Sequence, residues 1–138
     1  MDVLVRDGFV ESDSLVFTLL RSASGYVEQV RLDGIIHCAD GVALDVTKFM
    51  DVRYESGRME VISTYYRYHA WRPGASGESV VRYDQAHGQP HCHRFERDGR
   101  MSLQTQLTLD EMPRLDEVVR EAVAIARGWD ADRPGEPG

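Results

Sequence analysis

Apolar and polar positions alternate through most of the first hundred residues, and turn signals cut that alternation into short runs. Residues 14–22 are apolar and β-prone and end at Ala23-Ser24-Gly25; residues 26–32 form a second such run, stopped by Asp33-Gly34. A brief run at 35–38 leads into Asp40-Gly41, a hairpin signal between apolar stretches. Val42, Leu44, Val46 and Lys48 then alternate with Ala43, Asp45, Thr47 and Phe49, the period of a half-buried strand. Glu55-Ser56-Gly57 turns the chain into its longest β-prone run, residues 58–71. Along it Val61, Ser63, Tyr65, Arg67 and His69 share one face, while Ile62, Thr64, Tyr66, Tyr68 and Ala70 share the other. A loop at 73–77 precedes a strand at 78–84, and runs at 93–97 and 100–106 flank a second hairpin signal, Asp98-Gly99.

The period changes after residue 107. Thr108-Leu109-Asp110-Glu111 is a capping-box sequence, and Pro113 fits the first turn of a helix. Leu115, Val118, Val119, Ala122, Ile125 and Ala126 recur at helical spacing, and Arg127-Gly128 supplies a closing cap. Residues 129–138 are rich in Pro, Gly and Asp and are expected to form a disordered tail. The pattern therefore predicts one α+β domain over residues 1–128. Its architecture is an antiparallel, highly twisted β-sheet of about six to eight strands with one C-terminal α-helix packed against it.

Composition changes this picture only at the margins. The 138 residues suit one domain, and 42% hydrophobic with 28% charged residues is the balance of a soluble globular protein. No apolar run reaches the length of a membrane span, and the N-terminus lacks the basic and apolar regions of a signal peptide. Cys38 and Cys92 lie far apart and read as free thiols, so a cytoplasmic location is expected. The net charge of -7 opposes unassisted binding along nucleic acid backbones. That charge is uneven: residues 53–105 hold six acids against eight bases, all of them Arg, whereas both flanks are acidic.

The locally basic stretch also holds the densest candidate chemistry, from Arg82 to His93. Three of the five histidines, His87, His91 and His93, fall there, behind an Arg82 and an Asp84 that point the same way on a strand. Should the runs at 58–71 and 78–84 form a hairpin, Arg67 and His69 join Arg82 and Asp84 on one face. Such a set suits metal-independent phosphodiester cleavage. One histidine takes the 2′-hydroxyl proton, another protonates the leaving oxygen, and arginine stabilises the phosphate charge. In this scheme His69, His87, His91 and His93 share the acid–base work, Arg82 binds phosphate and Asp84 orients a histidine. Arg67 and Tyr68 contact substrate, Tyr68 as a general acid or by stacking on a base.

Two other readings stand beside it. His91 and His93 on one strand face can hold a divalent metal such as zinc, with His87, Asp84 or Glu96 as third ligand. Alternatively the histidines are structural residues of a polar turn, and the sheet or helix is a protein-interaction module. Cys92, pointing away from both neighbouring histidines, is expected in the core.

The order of these motifs resembles the small TumE-like toxin family of prokaryotic toxin–antitoxin pairs, over roughly residues 58–127. Tyr66-Arg67-Tyr68-His69 stands for that family's Tyr-x-Tyr element. Arg82-Tyr83-Asp84-Gln85-Ala86-His87 stands for its Arg-x-Asp-Asn-x-x-His stretch, and His91-Cys92-His93 for its His-x-His strand. Gln85 replaces the usual Asn. The resemblance implies a small cytoplasmic protein encoded beside a DNA-binding antitoxin and acting on RNA; the acid–base scheme itself calls for no cofactor. A homodimer is also expected, from the edge that the long run at 58–71 would expose.

Overall fold

The computed structural model describes residues 2–74, 77–85 and 89–131. A short helix α1 (Asp2–Arg6) precedes β1 (Val10–Asp13), β2 (Val16–Arg21), β3 (Val27–Cys38) and β4 (Ala43–Glu55). Then follow β5 (Arg58–Arg72), β6 (Glu78–Asp84), β7 (His91–Phe95), β8 (Met101–Gln106) and the helix α2 (Leu115–Ala131). All eight strands lie in one open antiparallel sheet ordered β1-β3-β4-β5-β6-β7-β8, with β2 also paired to β3. The α+β expectation of an antiparallel sheet with one C-terminal helix holds. Among the described residues no helix is long and apolar enough to cross a membrane.

The core lies between α2 and one face of the sheet. Val118, Val119, Ala122, Val123 and Ala126 of α2 are buried against Leu44, Val46, Tyr68, Ala70, Val81, Tyr83 and Cys92, and α1 adds Leu4 to the same cluster. Polar bonds fix the helix on the sheet. The Tyr83 hydroxyl donates to Glu121 Oε1 and Oε2 at 2.9 and 3.1 Å, and Arg94 Nη2 donates to Glu121 Oε2 at 3.1 Å.

Several local expectations need correction. Asp33-Gly34 does not end a strand; β3 runs through it without a break. Gly34 is required there by a close approach, since at φ 147° a Cβ would lie 2.5 Å from the Ser14 carbonyl oxygen and 2.8 Å from Leu15 Cα. Ser14 and Leu15 are the crossing between β1 and β2, and Ser14 N donates to the Ile35 carbonyl at 2.9 Å. The capping box also forms in a different place. Thr108 N and Oγ1 both bond Glu111 Oε1, at 2.9 and 3.0 Å, but they close a 3-10 turn at Leu109–Glu111. Proline cannot donate to the preceding turn and holds the residue before it extended, so the chain leaves that turn at Met112-Pro113. α2 then starts at Leu115, where Glu117 bonds the Arg114 amide at 3.0 Å.

At its far end the helix does not stop at Gly128, which has no positive φ, nor does the tail begin at Trp129. Trp129 is buried and the helix runs to Ala131. Arg72 at the end of β5 holds it there. Its Nη2 donates to the Ala126 carbonyl and its Nη1 to Asp130 Oδ1, both at 2.9 Å, and its guanidinium lies over the Trp129 ring at 5.6 Å. Only the part of the expected tail from residue 132 onward lies outside the described residues.

The crowding at Gly34 is testable by urea unfolding. Gly34→Ala is expected to cost roughly 2 to 4 kcal/mol, because strand and crossing must move apart. Gly25→Ala, at a positive φ but with nothing within 4 Å, should cost only about 1 kcal/mol. Equal losses in the two variants would remove the steric explanation.

Candidate functional site

Strands β5, β6 and β7 alternate with period two, so burying one set of side chains commits the other set to the opposite face. Register places Tyr68 beside Tyr83 and Tyr83 beside Cys92, all buried toward α2. One position away, the chemical residues line up on the face that α2 does not cover. His69 pairs with Arg82 and Arg82 with His93; in the neighbouring row Arg67 pairs with Asp84 and Asp84 with His91. The sheet therefore gathers six of the eight sequence-derived candidates into two adjacent rows across three strands.

The other two differ. Tyr68 was expected to contact substrate, but it is 1% exposed and lies in the core on the helix side. Burial raises its hydroxyl pKa well above the ordinary tyrosine value, and Tyr66 nearby adds to the shift. It is a packing residue, with neither the access nor the acidity that proton donation needs. His87 lies outside the described residues.

Within the rows, Arg82 Nε stands 3.1 Å from Asp84 Oδ2. His69 Nε2 is 3.1 Å from Ser79 Oγ, and its ring lies 5.8 Å from that of Trp71. His93 is buried, with Nδ1 3.4 Å from Met101 Sδ, and the His91 and His93 ring centroids are 6.1 Å apart. His91 Nδ1 is buried with no hydrogen-bond partner among the described residues. Gln85, at the position of the family's Asn, accepts a 3.0 Å bond from the Tyr66 amide. It thereby ties the end of β6 to the point on β5 where the pairing with β6 begins.

The electrostatics favour neutral imidazoles. Burial lowers the pKa of His69, and the Arg82 and Arg67 guanidiniums lower it further, against opposing pulls from Asp45 and Asp84. His93 shifts the same way, through burial first and then Arg82, with Asp84 opposing and His91 assisting. Both histidines are therefore neutral at pH 7, the state in which a ring nitrogen accepts a proton. The thiols are poor nucleophiles by comparison: Cys38 and Cys92 are free and buried, and burial pushes Cys38 up to about 11.

Sequence reasoning missed several neighbours. Asp45 faces His69 across β4 and β5, and Thr47 faces Arg67. Farther along the same face Phe49 stacks on Tyr65 at 5.1 Å, with the Arg31 guanidinium 4.7 Å from the Phe49 ring. The alternation of β4 put Asp45 off the core face, but only its pairing with β5 assigns it to His69. Among the described residues no group of three or more His, Cys, Asp or Glu is arranged to hold a metal ion. The His91–His93 pair does share a face; of the third ligands considered for it, Asp84 and Glu96 complete no such group, and His87 lies outside the described residues.

No family model, curated protein or solved structure matches this chain.

The lowered histidine pKa values tie stability to pH. The unfolded chain protonates these rings near 6.5, before the folded chain does, so their contribution is complete above that pH. It falls as pH drops through 6.5 toward the lower folded-state values. Thermal unfolding between pH 8 and pH 5 should show a larger fall in Tm for the wild type than for His69→Gln/His93→Gln. Identical slopes would rule out the shifted histidines as the cause.

Proposed function

We propose that this chain is a TumE-like toxin-family protein that cleaves RNA by metal-independent acid–base chemistry on the open face of β5–β7. The observation carrying the proposal is the row His69–Arg82–His93 set against the row Arg67–Asp84–His91. A neutral, half-buried His69 takes the proton from a 2′-hydroxyl. Arg82, held by Asp84, and the exposed Arg67 bind the phosphate oxygens and the charge that grows on them. His91 returns a proton to the leaving 5′-oxygen. His93, largely covered beside Arg82 and Met101, keeps the row packed and has little surface for substrate. His69 and His91 stand two strand spacings and one row apart, roughly 12 Å between backbones, which leaves room for one phosphate between them beside Arg82.

RNA is favoured over other phosphodiesters by two features. The acid–base scheme needs a 2′-hydroxyl as nucleophile. The Phe49–Tyr65 stack under Arg31 lies on the same face, where an unstacked base can rest on an aromatic ring. The motif order supports the toxin assignment and brings with it a DNA-binding antitoxin encoded alongside. The alternative is a divalent ion such as zinc on His91 and His93, and a chelator separates the two.

A single-stranded RNA oligonucleotide incubated with the protein in excess EDTA should yield a 2′,3′-cyclic phosphate end. His69→Gln, His91→Gln and Arg82→Ala should each slow cleavage by roughly a hundredfold, with far-UV circular dichroism unchanged. Loss of activity in EDTA would transfer the reaction to a metal. Full activity in a folded His69→Gln/His91→Gln variant would sink the acid–base assignment.

A further inference from the structure

α2 covers the half of the sheet around Leu44, Val46, Tyr68 and Tyr83. Beyond it the apolar alternation of the helix-bearing face continues along β2–β5, where Leu32 and Val52 are still buried but the side chains around them are open among the described residues. Phe17 pairs with Leu32, Leu19 with Val30, Val30 with Met50, Val52 with Val61 and Tyr54 with Met59, so these side chains lie on that face. Their neighbours on the opposite face are more polar, Thr18, Gln29, Arg31, Asp51, Arg53 and Glu60, interrupted by Val16, Leu20, Phe49 and Ile62. This is the pattern of a sheet with one buried side. Yet Phe17 is 66% exposed, Met59 64%, Tyr26 62%, Tyr54 51%, Val61 51% and Leu19 48%. The Tyr26 and Tyr54 rings meet edge to face at 5.5 Å, which joins the tip of β4 to the start of β3.

With 150–250 Å² available on each aromatic ring, these six side chains leave on the order of 700 Å² of apolar surface open. That exceeds the largest patch usual on a monomer, about 300–600 Å². It approaches the surface each partner gives to a standard specific interface, about 800 Å². α2 cannot supply the cover, since its C-terminal end is held by Arg72, at the opposite end of β5 from Met59 and Val61.

The geometry points to a second copy of this chain as the occupant, packed sheet to sheet about a two-fold axis. The charges on the face select a copy over another partner. Two charged side chains stand among the apolar ones: Glu28, beside Tyr26, Val52 and Tyr54, and Lys48, the only lysine of the chain, paired between Leu32 and Tyr66. One acid and one base make the face neutral and self-complementary, although the whole chain carries -7. A two-fold axis sets Glu28 of each subunit toward the partner's Lys48, twice per dimer, while the apolar side chains fill the layer between the sheets. The proposed homodimer thus uses a different surface from the β5 edge from which a homodimer was first expected. β5 is paired with β4 from Arg58 to Trp71 and with β6 from Arg67 to Arg72, so its edge is open only before Arg67, whereas the exposed apolar side chains lie on its face.

Sedimentation velocity on the full chain from about 1 to about 100 µM tests this by mass action. The wild type should be a dimer, and Phe17→Glu/Val61→Glu should be a monomer with unchanged circular dichroism, because both positions are already exposed in the single chain. Glu28→Lys and Lys48→Glu should each weaken the dimer at least tenfold, and combining them should restore it. A wild type that stays monomeric throughout overturns the proposal and leaves the face to a partner of different sequence. A dimer that survives Phe17→Glu/Val61→Glu overturns it as well, and so does a charge-swapped double variant no tighter than the single ones.

Discussion

The register of β5, β6 and β7 is the constraint on which the site depends. Tyr68, Tyr83 and Cys92 are held in the core by α2, and Glu121 grips both the Tyr83 hydroxyl and the Arg94 guanidinium from the helix. A slip of one residue in β6 would bring Arg82 and Asp84 into the apolar layer under α2 and turn Tyr83 outward. Burying an ion pair in that apolar layer without added hydrogen bonds costs several kcal/mol per charge. The core therefore selects the arrangement of His69, Arg82 and His93 on the far face without touching it. Packing on one side of the sheet thereby sets which side chains meet on the other.

That far face is finely balanced in charge. Arg82 is offset by Asp84, Arg67 has Asp84 across from it, and Asp45 faces His69. With both shifted histidines neutral, the rows make little long-range field, in keeping with a chain of net charge -7. Under the proposed function, capture of an anionic ligand here would rest on directed guanidinium donors and ring stacking at contact distance, not on electrostatic steering. Affinity of that kind falls less steeply with salt than binding by a lysine-rich groove. The same balance explains why His69 stays below its ordinary pKa although two carboxylates lie near it. Burial is the largest influence, and the two guanidiniums act with it.

Where the sequence carries strict alternation or a turn with one reading, the fold was legible. Asp40-Gly41 and Asp98-Gly99 mark turns, and the faces assigned to β5 hold over residues 65–70, with Arg67 and His69 together and Tyr68 opposite them; the bulge at Phe49 and Met50 turns Val61 and Ser63 to the face of Tyr68 and Ile62 away from it. The error on Tyr68 came from giving a role to a residue whose face already pointed to the core. Gly34 misled for a physical reason: a glycine that ends a strand and a glycine that admits a crossing backbone look alike in one dimension. Only the fold brings Ser14 and Leu15 over it. The helix ends were hidden because tertiary contacts override local signals. Arg72, far away in sequence, satisfies a carbonyl near the end of α2 and carries the helix past Gly128. Asp45 was missed as a neighbour of His69 because pairing between β4 and β5, with its bulge at Phe49 and Met50, sets which residues meet.

The two surfaces of interest lie on opposite sides of the same strands. β4 and β5 carry Asp45, Arg67 and His69 on one face and Met50, Val52, Tyr54, Met59 and Val61 on the other, toward their hairpin end. A sheet-to-sheet dimer buries the second set and leaves the first pointing outward from each subunit, so association does not occlude the rows. Nor are the two independent in stability. The hairpin from Arg53 to Arg58 has exposed side chains throughout, and its β5 arm lacks the β6 pairing that begins at Arg67. Covering that end removes apolar surface from water where the strands are least supported, and the same strands then hold His69 and Arg67 in register with Arg82 and Asp84. In the proposed dimer, assembly on one face would stiffen the scaffold of the other without contributing a single side chain to it.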